Sequence, residues 1–294
     1  MAHLSRGTHR SIRFGTQQER NGVATVTSVS RRTERGDNPS LMDEWRTAIV
    51  RSEESAIWIH GHDVTALMRQ ATFADTVFLL HRGRLPDERE RKLIDAILTS
   101  VSDHGPGAPS CATARLVASG NRQSISAAIA AGILAIGDEH GGAGEHCIAM
   151  IANGILDAQG RSIPIEAGAA AVVERAIAKG ERIPGLGHRV HRTVDPRVEV
   201  LFSLARGGNE EGAGVRFMRA IHAEACQRIR PLPINIDGGL AAVLYDLGFP
   251  PEAGKFIFII GRVAGLTAEV AEEYAREKPM RVRIPVQYDG KAPR

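Results

Sequence analysis

Residues 64–105 read VTALMRQATFADTVFLLHRGRLPDERERKLIDAILTSVSDHG, and the period of their apolar side chains decides the fold class. Apolar residues recur at three- and four-residue spacing, as on one face of an α-helix. Three helices in succession account for the stretch: Gly83 ends the second, and Pro86-Asp87-Glu88 opens the third with negative charge at its N-terminus. Downstream, 110–119, 122–137 and 140–157 read as three more helices separated by glycine-containing breaks, and another covers 166–179, stopped by Gly180. Segments 195–206 and 211–229 are amphipathic helices. Residues 231–250 hold an extended entry and a helix beginning at Asp237, and 252–277 form a long, largely buried helix. Upstream, a helix is expected within 38–55 with Ser40 as its cap, followed by a short β-prone run at 56–64 that turns at Gly61. With no internal repeat and no alternation of strands with helices, the chain is expected to be all-α.

Composition agrees. The 294 residues are 43% hydrophobic and 24% charged, values ordinary for a globular protein, while aromatics are only 4%. The core must therefore be built from Ala, Val, Ile and Leu. Runs such as ISAAIAAGILAIG (125–137) favour close-packed helices over a sheet. No apolar stretch approaches the roughly 18 residues of a membrane span, and the first residues lack the apolar centre of a secretion signal. Three cysteines, Cys111, Cys147 and Cys226, are far apart and lack metal-ligand spacing, which suits a reduced, cytoplasmic protein with cysteines as small core residues. Residues 1–39 carry seven arginines against Glu19, Glu34 and Asp37, a local balance of +4 in a net charge of +3. They read as a flexible basic N-terminal arm. The body is then about neutral, which argues against nucleic-acid binding.

Four segments place ionisable residues beside glycine, where backbone approaches a ligand closely. They are SDHGPGAPSCATAR (102–115), GDEHGGAGE (137–145), GLGHRVHRTVDPR (185–197) and INIDGG (234–239). Singly, each has an ordinary explanation: His104, His140 and His188 as helix-end polar groups, Asp237 as a helix N-cap. The pairs in HGH (60–62) and EHGGAGEH (139–146) lack further ligands at metal-binding spacing, so no metal is expected.

Together and in order, these segments resemble the citrate synthase superfamily, which includes citryl-CoA lyases and the citrate synthase-like module of ATP-citrate lyase. The resemblance covers most of residues 43–290. It includes IHGHDVTALMRQATFADTVFLLHRGRLP, DHG, HGGAGE, PGLGHRVHRTVDPR, NID and GRVAG. Gly-His-Arg-Val with Asp-Pro-Arg is its most specific part.

The resemblance implies a helical two-domain fold, with a large domain from 40–149 and 246–294 and a small domain from 150–245. It implies that Asp237 is the base at the acetyl methyl, His140 the donor to the thioester oxygen, and His188 the acid at the ketone oxygen. His104, Arg197 and Arg262 then hold the carboxylates of oxaloacetate, whose planar groups suit guanidinium forks. Arg283 matches an arginine contributed by the neighbouring subunit of a homodimer. Gly185 and Gly187 turn the chain beside CoA, with Arg189 and Arg192 facing either its phosphates or solvent. His191 and His146 read as structural. Coenzyme A enters as a thioester substrate, with no tightly bound cofactor, and small carboxylates are the other partners. Within the superfamily, the chain is short for a citrate synthase, and Asp237 is followed by Gly-Gly where synthases usually carry an aromatic and then Ser-Gly. The stretch 103–120 is more similar to the ATP-citrate lyase module than to synthases, so the resemblance leans towards a citryl-CoA lyase. Citrate synthase, a relative with another short acyl-CoA and 2-oxo acid, and a non-catalytic regulatory homologue that binds CoA ligands are the alternatives.

Overall fold

A computed structural model describes residues 45–188, 191–206 and 210–291. The basic arm 1–39 and the proposed cap Ser40 lie outside them. From residue 47 onward, the first ordered feature differs from expectation. Instead of a helix, Val50–Ser52 (β1) pairs antiparallel with Ile57–Ile59 (β2), which pairs with His62–Asp63 (β3). Val50 faces Ile59, and His60 and Gly61 turn between β2 and β3 with φ of 45° and 80°. The β-branched residues of β1 and β2 find cross-strand partners there, and this ladder takes the backbone groups a helix through 55 needs. The turn at Gly61 is where the sequence placed it.

Eleven helices follow among the described residues: α1 Val64–Gln70, α2 Phe73–Arg82, α3 Glu88–Val101, α4 Pro109–Gly120, α5 Ile125–Leu134, α6 Ala143–Gly160, α7 Ile165–Lys179, α8 Pro196–Arg206, α9 Ala213–Arg228, α10 Ile236–Asp246 and α11 Ala253–Arg276. All belong to one compact unit, Thr47–Arg294. The local chemistry explains the boundaries. Thr72 with Asp75 and Asp87 with Glu90 form reciprocal capping boxes at α2 and α3, and Gly83 and Gly180 close α2 and α7 in the left-handed conformation.

Helix α11 organises the packing. Its buried stripe runs Ala253, Ile257, Phe258, Arg262, Leu266, Glu269, Val270 and Glu273, the spacing of one helix face. It packs on α3, α4, α5 and α6. The main core joins it to α2, α3 and α6–α10, with Phe78, Phe202 and Phe217 fully enclosed. A smaller core between α4, α5 and α11 is made of Ala108, Cys111, Ala114, Ala118, Ala128, Leu266 and Val270, the alanine-built contact the composition called for. Cys111 and Cys147 are buried and Cys226 half-buried, all three as free thiols. Among the described residues no helix is long and apolar enough to cross a membrane.

Candidate active site

The Gly185–His188 loop and the start of α10 are bound to each other through their backbones. Gly187 N–H donates to Pro233 O at 2.8 Å and Asn235 N–H to Gly185 O at 2.9 Å, while Asn235 Nδ2 donates to Gly187 O at 2.8 Å. Gly185 and Gly187 have φ of 84° and 83°, a conformation glycine adopts without strain. A side chain is excluded on both sides of this contact: a Cβ on Gly238 would lie 2.6 Å from Gly185 O, and one on Gly185 2.7 Å from Gly238 Cα. His188 is thereby fixed next to the segment that carries Asp237.

Helix α10 starts one residue earlier than the sequence suggested. Asn235, not Asp237, is its N-cap, accepting from Gly238 N–H at 3.1 Å. The aspartate is therefore not consumed by capping. Although the residue keeps partial exposure, its carboxyl Oδ1 is buried with no hydrogen-bond partner among the described residues. Burial raises its pKa from 3.8 to about 6, against the opposing pull of Arg197 and Arg262 and with a smaller push from Asp195. A carboxyl whose pKa lies this close to neutrality is suited to move a proton.

His140 sits in a tight turn in which Gly137 and His140 exchange backbone hydrogen bonds of 3.0 and 2.9 Å. Its Nε2 receives the Ser110 backbone N–H at 3.2 Å. A backbone amide only donates, so Nε2 presents its lone pair, the proton lies on Nδ1, and Ser110 Oγ at 2.9 Å also donates to Nε2. The outcome is a ring whose Nδ1–H is its donor. Ser110 Oγ in turn accepts from Arg262 Nη1 at 3.0 Å. Arg262 is buried, donates to Val101 O at 3.0 Å and lies 4.9 Å from the centre of the Phe258 ring. Burial depresses even this guanidinium's pKa. No carboxylate among the described residues pairs with it at ion-pair distance, and a buried cation in that position favours an anionic ligand.

The third group surrounds His188. Its ring centre is 5.4 Å from that of His104 and 4.5 Å from that of His191, with His104 to His191 6.2 Å. His188 Nδ1 accepts the His191 backbone N–H at 2.9 Å, which puts the proton of the neutral ring on Nε2. Burial lowers the pKa of His188, with His191 the next cause; burial likewise lowers His104, followed by Arg197 and Arg262. Arg197, one residue into α8 behind Pro196, holds the buried Asp195 through Nε at 2.9 Å and Nη2 at 2.7 Å. Burial pushes Asp195 up, but this fork outweighs it and holds the carboxyl below its ordinary value.

The structure thus links His104, His188, Arg197 and Asp237 electrostatically, and joins His140 to Arg262 through Ser110. Ser110 and Asp195 are the additions to the sequence reading, although both lie inside the quoted segments. They looked like a helix-start serine and part of Asp-Pro-Arg, and nothing local shows what they bind. Arg283 is exposed in the irregular segment after α11 and makes no ion pair among the described residues. Arg192 is exposed, and Arg189 lies outside the described residues. His188, His191 and Asp195 approach one another within 4.8 Å, as do Asp103, Cys111 and Glu269, distances compatible with a metal ion. In each group a carboxylate is already held by an arginine, Asp195 by Arg197 and Glu269 by Arg115. Hollows beside the β1–β2 hairpin and α1 contain none of the site residues.

Residues 86–283 match the family described as citrate synthase, C-terminal domain. Among solved structures, the chain is similar to citryl-CoA lyase from Hydrogenobacter thermophilus, at 36% identity and a TM-score of 0.77, over 85% of this chain and 96% of that one. It shares its fold with ATP citrate lyase from Methanothrix soehngenii in complex with citrate and coenzyme A, at 21% identity and a TM-score of 0.72, over 84% of this chain and 42% of that one. Citrate synthase from Deinococcus radiodurans is 30% identical over 248 residues, 83% of this chain and 61% of the relative. The chain spans a little over half the length of the curated relatives it matches, 54% of the first of them.

Proposed function

The chain belongs to the citrate synthase family, and from that premise we propose that it is a citryl-CoA lyase, cleaving citryl-CoA reversibly to acetyl-CoA and oxaloacetate. One observation carries the chemistry: the Asp237 carboxyl, its Oδ1 buried with no hydrogen-bond partner among the described residues and its pKa raised to about 6, in a site with two arginines. A thioester methyl is a very weak acid, so a carboxylate takes its proton only where the enolate oxygen receives a hydrogen bond. In this reading His140 Nδ1–H supplies that bond, with Ser110 holding the ring in the required tautomer.

In condensation Asp237 removes a methyl proton, the enol carbon attacks the ketone carbon of oxaloacetate, and His188 Nε2 delivers a proton to the ketone oxygen. Cleavage runs the steps backwards: His188 takes the hydroxyl proton, the carbon–carbon bond breaks, and Asp237 returns a proton to the methyl carbon. Arg262 and Arg197 hold substrate carboxylates, with His104 assisting. Gly185 and Gly187 lie along the CoA, with the exposed Arg192 facing either its phosphates or solvent. The two domains of the sequence reading close over the substrate and exclude water.

The lyase is favoured over the synthase by likeness to the Hydrogenobacter enzyme across nearly all of that chain. Contact between Gly185 and Gly238 agrees, since it leaves no space for a side chain directly after Asp237. The functional unit in this reading is a homodimer in which Arg283 completes the neighbouring subunit's site. Helix α5 supports that assembly: it is apolar on all sides yet buries only Ala128 and Gly132, leaving Ile125 and Leu134 exposed at 58% and 85%. Quenched assays separate the readings. A lyase cleaves citryl-CoA to acetyl-CoA and forms no free CoA from acetyl-CoA plus oxaloacetate; free CoA in that mixture would refute the lyase in favour of a synthase.

A further inference from the structure

The last turns of α11 carry an ionic cluster set in the buried stripe of the helix. Glu273, fully buried, accepts from Arg281 Nε at 2.9 Å and Nη2 at 2.6 Å, and from Arg115 Nε of α4 at 2.9 Å. Arg115 Nη1 also reaches Glu269 at 2.5 Å and Glu272 at 2.9 Å. Arg122 donates to the last carbonyls of the helix, those of Glu273, Tyr274 and Glu277. Met280 then takes φ of 57°, an uncommon conformation for a residue with a side chain, while its N–H bonds to Ser119 O at 3.0 Å.

An ionic cluster is a poor choice for stability alone, because apolar residues of similar volume serve as well or better. What a bidentate fork supplies is direction, since it fixes the plane and position of the guanidinium. Beyond Arg281 the described residues form no helix or strand, and Arg283, two residues after the anchored one, is held within about 7 Å of it by chain geometry alone. Its neighbours Val282, Ile284 and Val286 are exposed and offer no other anchor.

We infer that Glu273, Arg115 and Arg281 are positioning residues that fix where the C-terminal segment leaves the body and so place Arg283 for the neighbouring subunit's substrate. The inference rests on the reading that Arg283 acts in the partner's site. Its test compares Arg281→Gln with Arg283→Gln in the full chain, following condensation as citryl-CoA formed from acetyl-CoA and oxaloacetate. Both variants should raise KM for oxaloacetate by at least about fivefold and leave KM for acetyl-CoA within about twofold. Subunits carrying Arg281→Gln, mixed with inactive Asp237→Asn subunits under verified exchange, should regain the native KM for oxaloacetate. The hybrid site then takes Asp237 from one chain and an intact arm from the other, a rescue that a general loss of structure does not permit. Native kinetics for Arg283→Gln would overturn the shared-site reading itself. An impaired Arg283→Gln beside a native-like Arg281→Gln would overturn only the positioning role, as would an impaired Arg281→Gln that exchange does not rescue. If Arg281→Gln does not fold, Arg281→Lys makes the same comparison, keeping the charge without the fork.

Discussion

Replacing Asp237 by asparagine should abolish the chemistry and stabilise the fold together. Its carboxyl is raised from 3.8 to about 6 mainly by burial. In the unfolded chain the group loses its proton near its ordinary pKa; in the folded chain it holds the proton until about pH 6. Between those values the folded state binds more protons, so stability falls as pH rises, and above about 6 the penalty is complete. At about 1.4 kcal/mol per pKa unit, that penalty is about 3 kcal/mol at pH 8.5 and about half as much at pH 5. Asp237→Asn removes the ionised form and keeps the shape. Its thermal midpoint should exceed the native one by about 5–10 °C at pH 8.5, with the gap narrowing towards pH 5. Turnover of citryl-CoA should fall at least roughly 10². Thermal unfolding of both proteins across this pH range, paired with steady-state kinetics, checks both halves. A variant no more stable than native at pH 8.5, or a gap that does not shrink on acidification, would refute the desolvated carboxyl. Near-native turnover would refute its catalytic role.

Condensation puts one proton on Asp237 and takes one from His188, with none gained or lost overall, so kcat/KM for condensation and for cleavage should share one pH profile that bends near 6. A profile with no bend there in either direction would exclude Asp237 as the shared proton carrier. Ser110→Ala keeps the backbone N–H on His140 but removes the hydroxyl that joins His140 to Arg262; turnover should drop about tenfold, and unchanged kinetics would show the hydroxyl to be dispensable. Gly238→Ala drives a Cβ to 2.6 Å from Gly185 O, so the fold should lose about 1–3 kcal/mol by denaturant unfolding and activity should fall as the His188 loop shifts. Leu134→Asp on α5 should convert the proposed dimer into a 31.6 kDa monomer by light scattering; an unaltered dimer would place the interface elsewhere.

Much of this protein was legible in the chain because its determinants are local. Helical period, glycine stops and acidic N-termini marked α1 to α11 to within a few residues, and Gly61 marked the β2–β3 turn. The departure from a helix at 47–55 is equally physical: residues 50–52 are a strand because 57–59 lie opposite, a fact outside their own sequence. The family resemblance carried by the quoted motifs also proposed His104, His140, His188, Arg197, Asp237 and Arg262 as a set. Their states were decided by tertiary contacts. Asp237 is not the cap because Asn235 takes that place, and packing shuts water from its Oδ1, which raises its pKa. His140 carries its proton on Nδ1 because an amide 30 residues away points at Nε2. Residue type and period set what the chain brings to the site; burial and partners from distant segments set the charge and proton each group holds there.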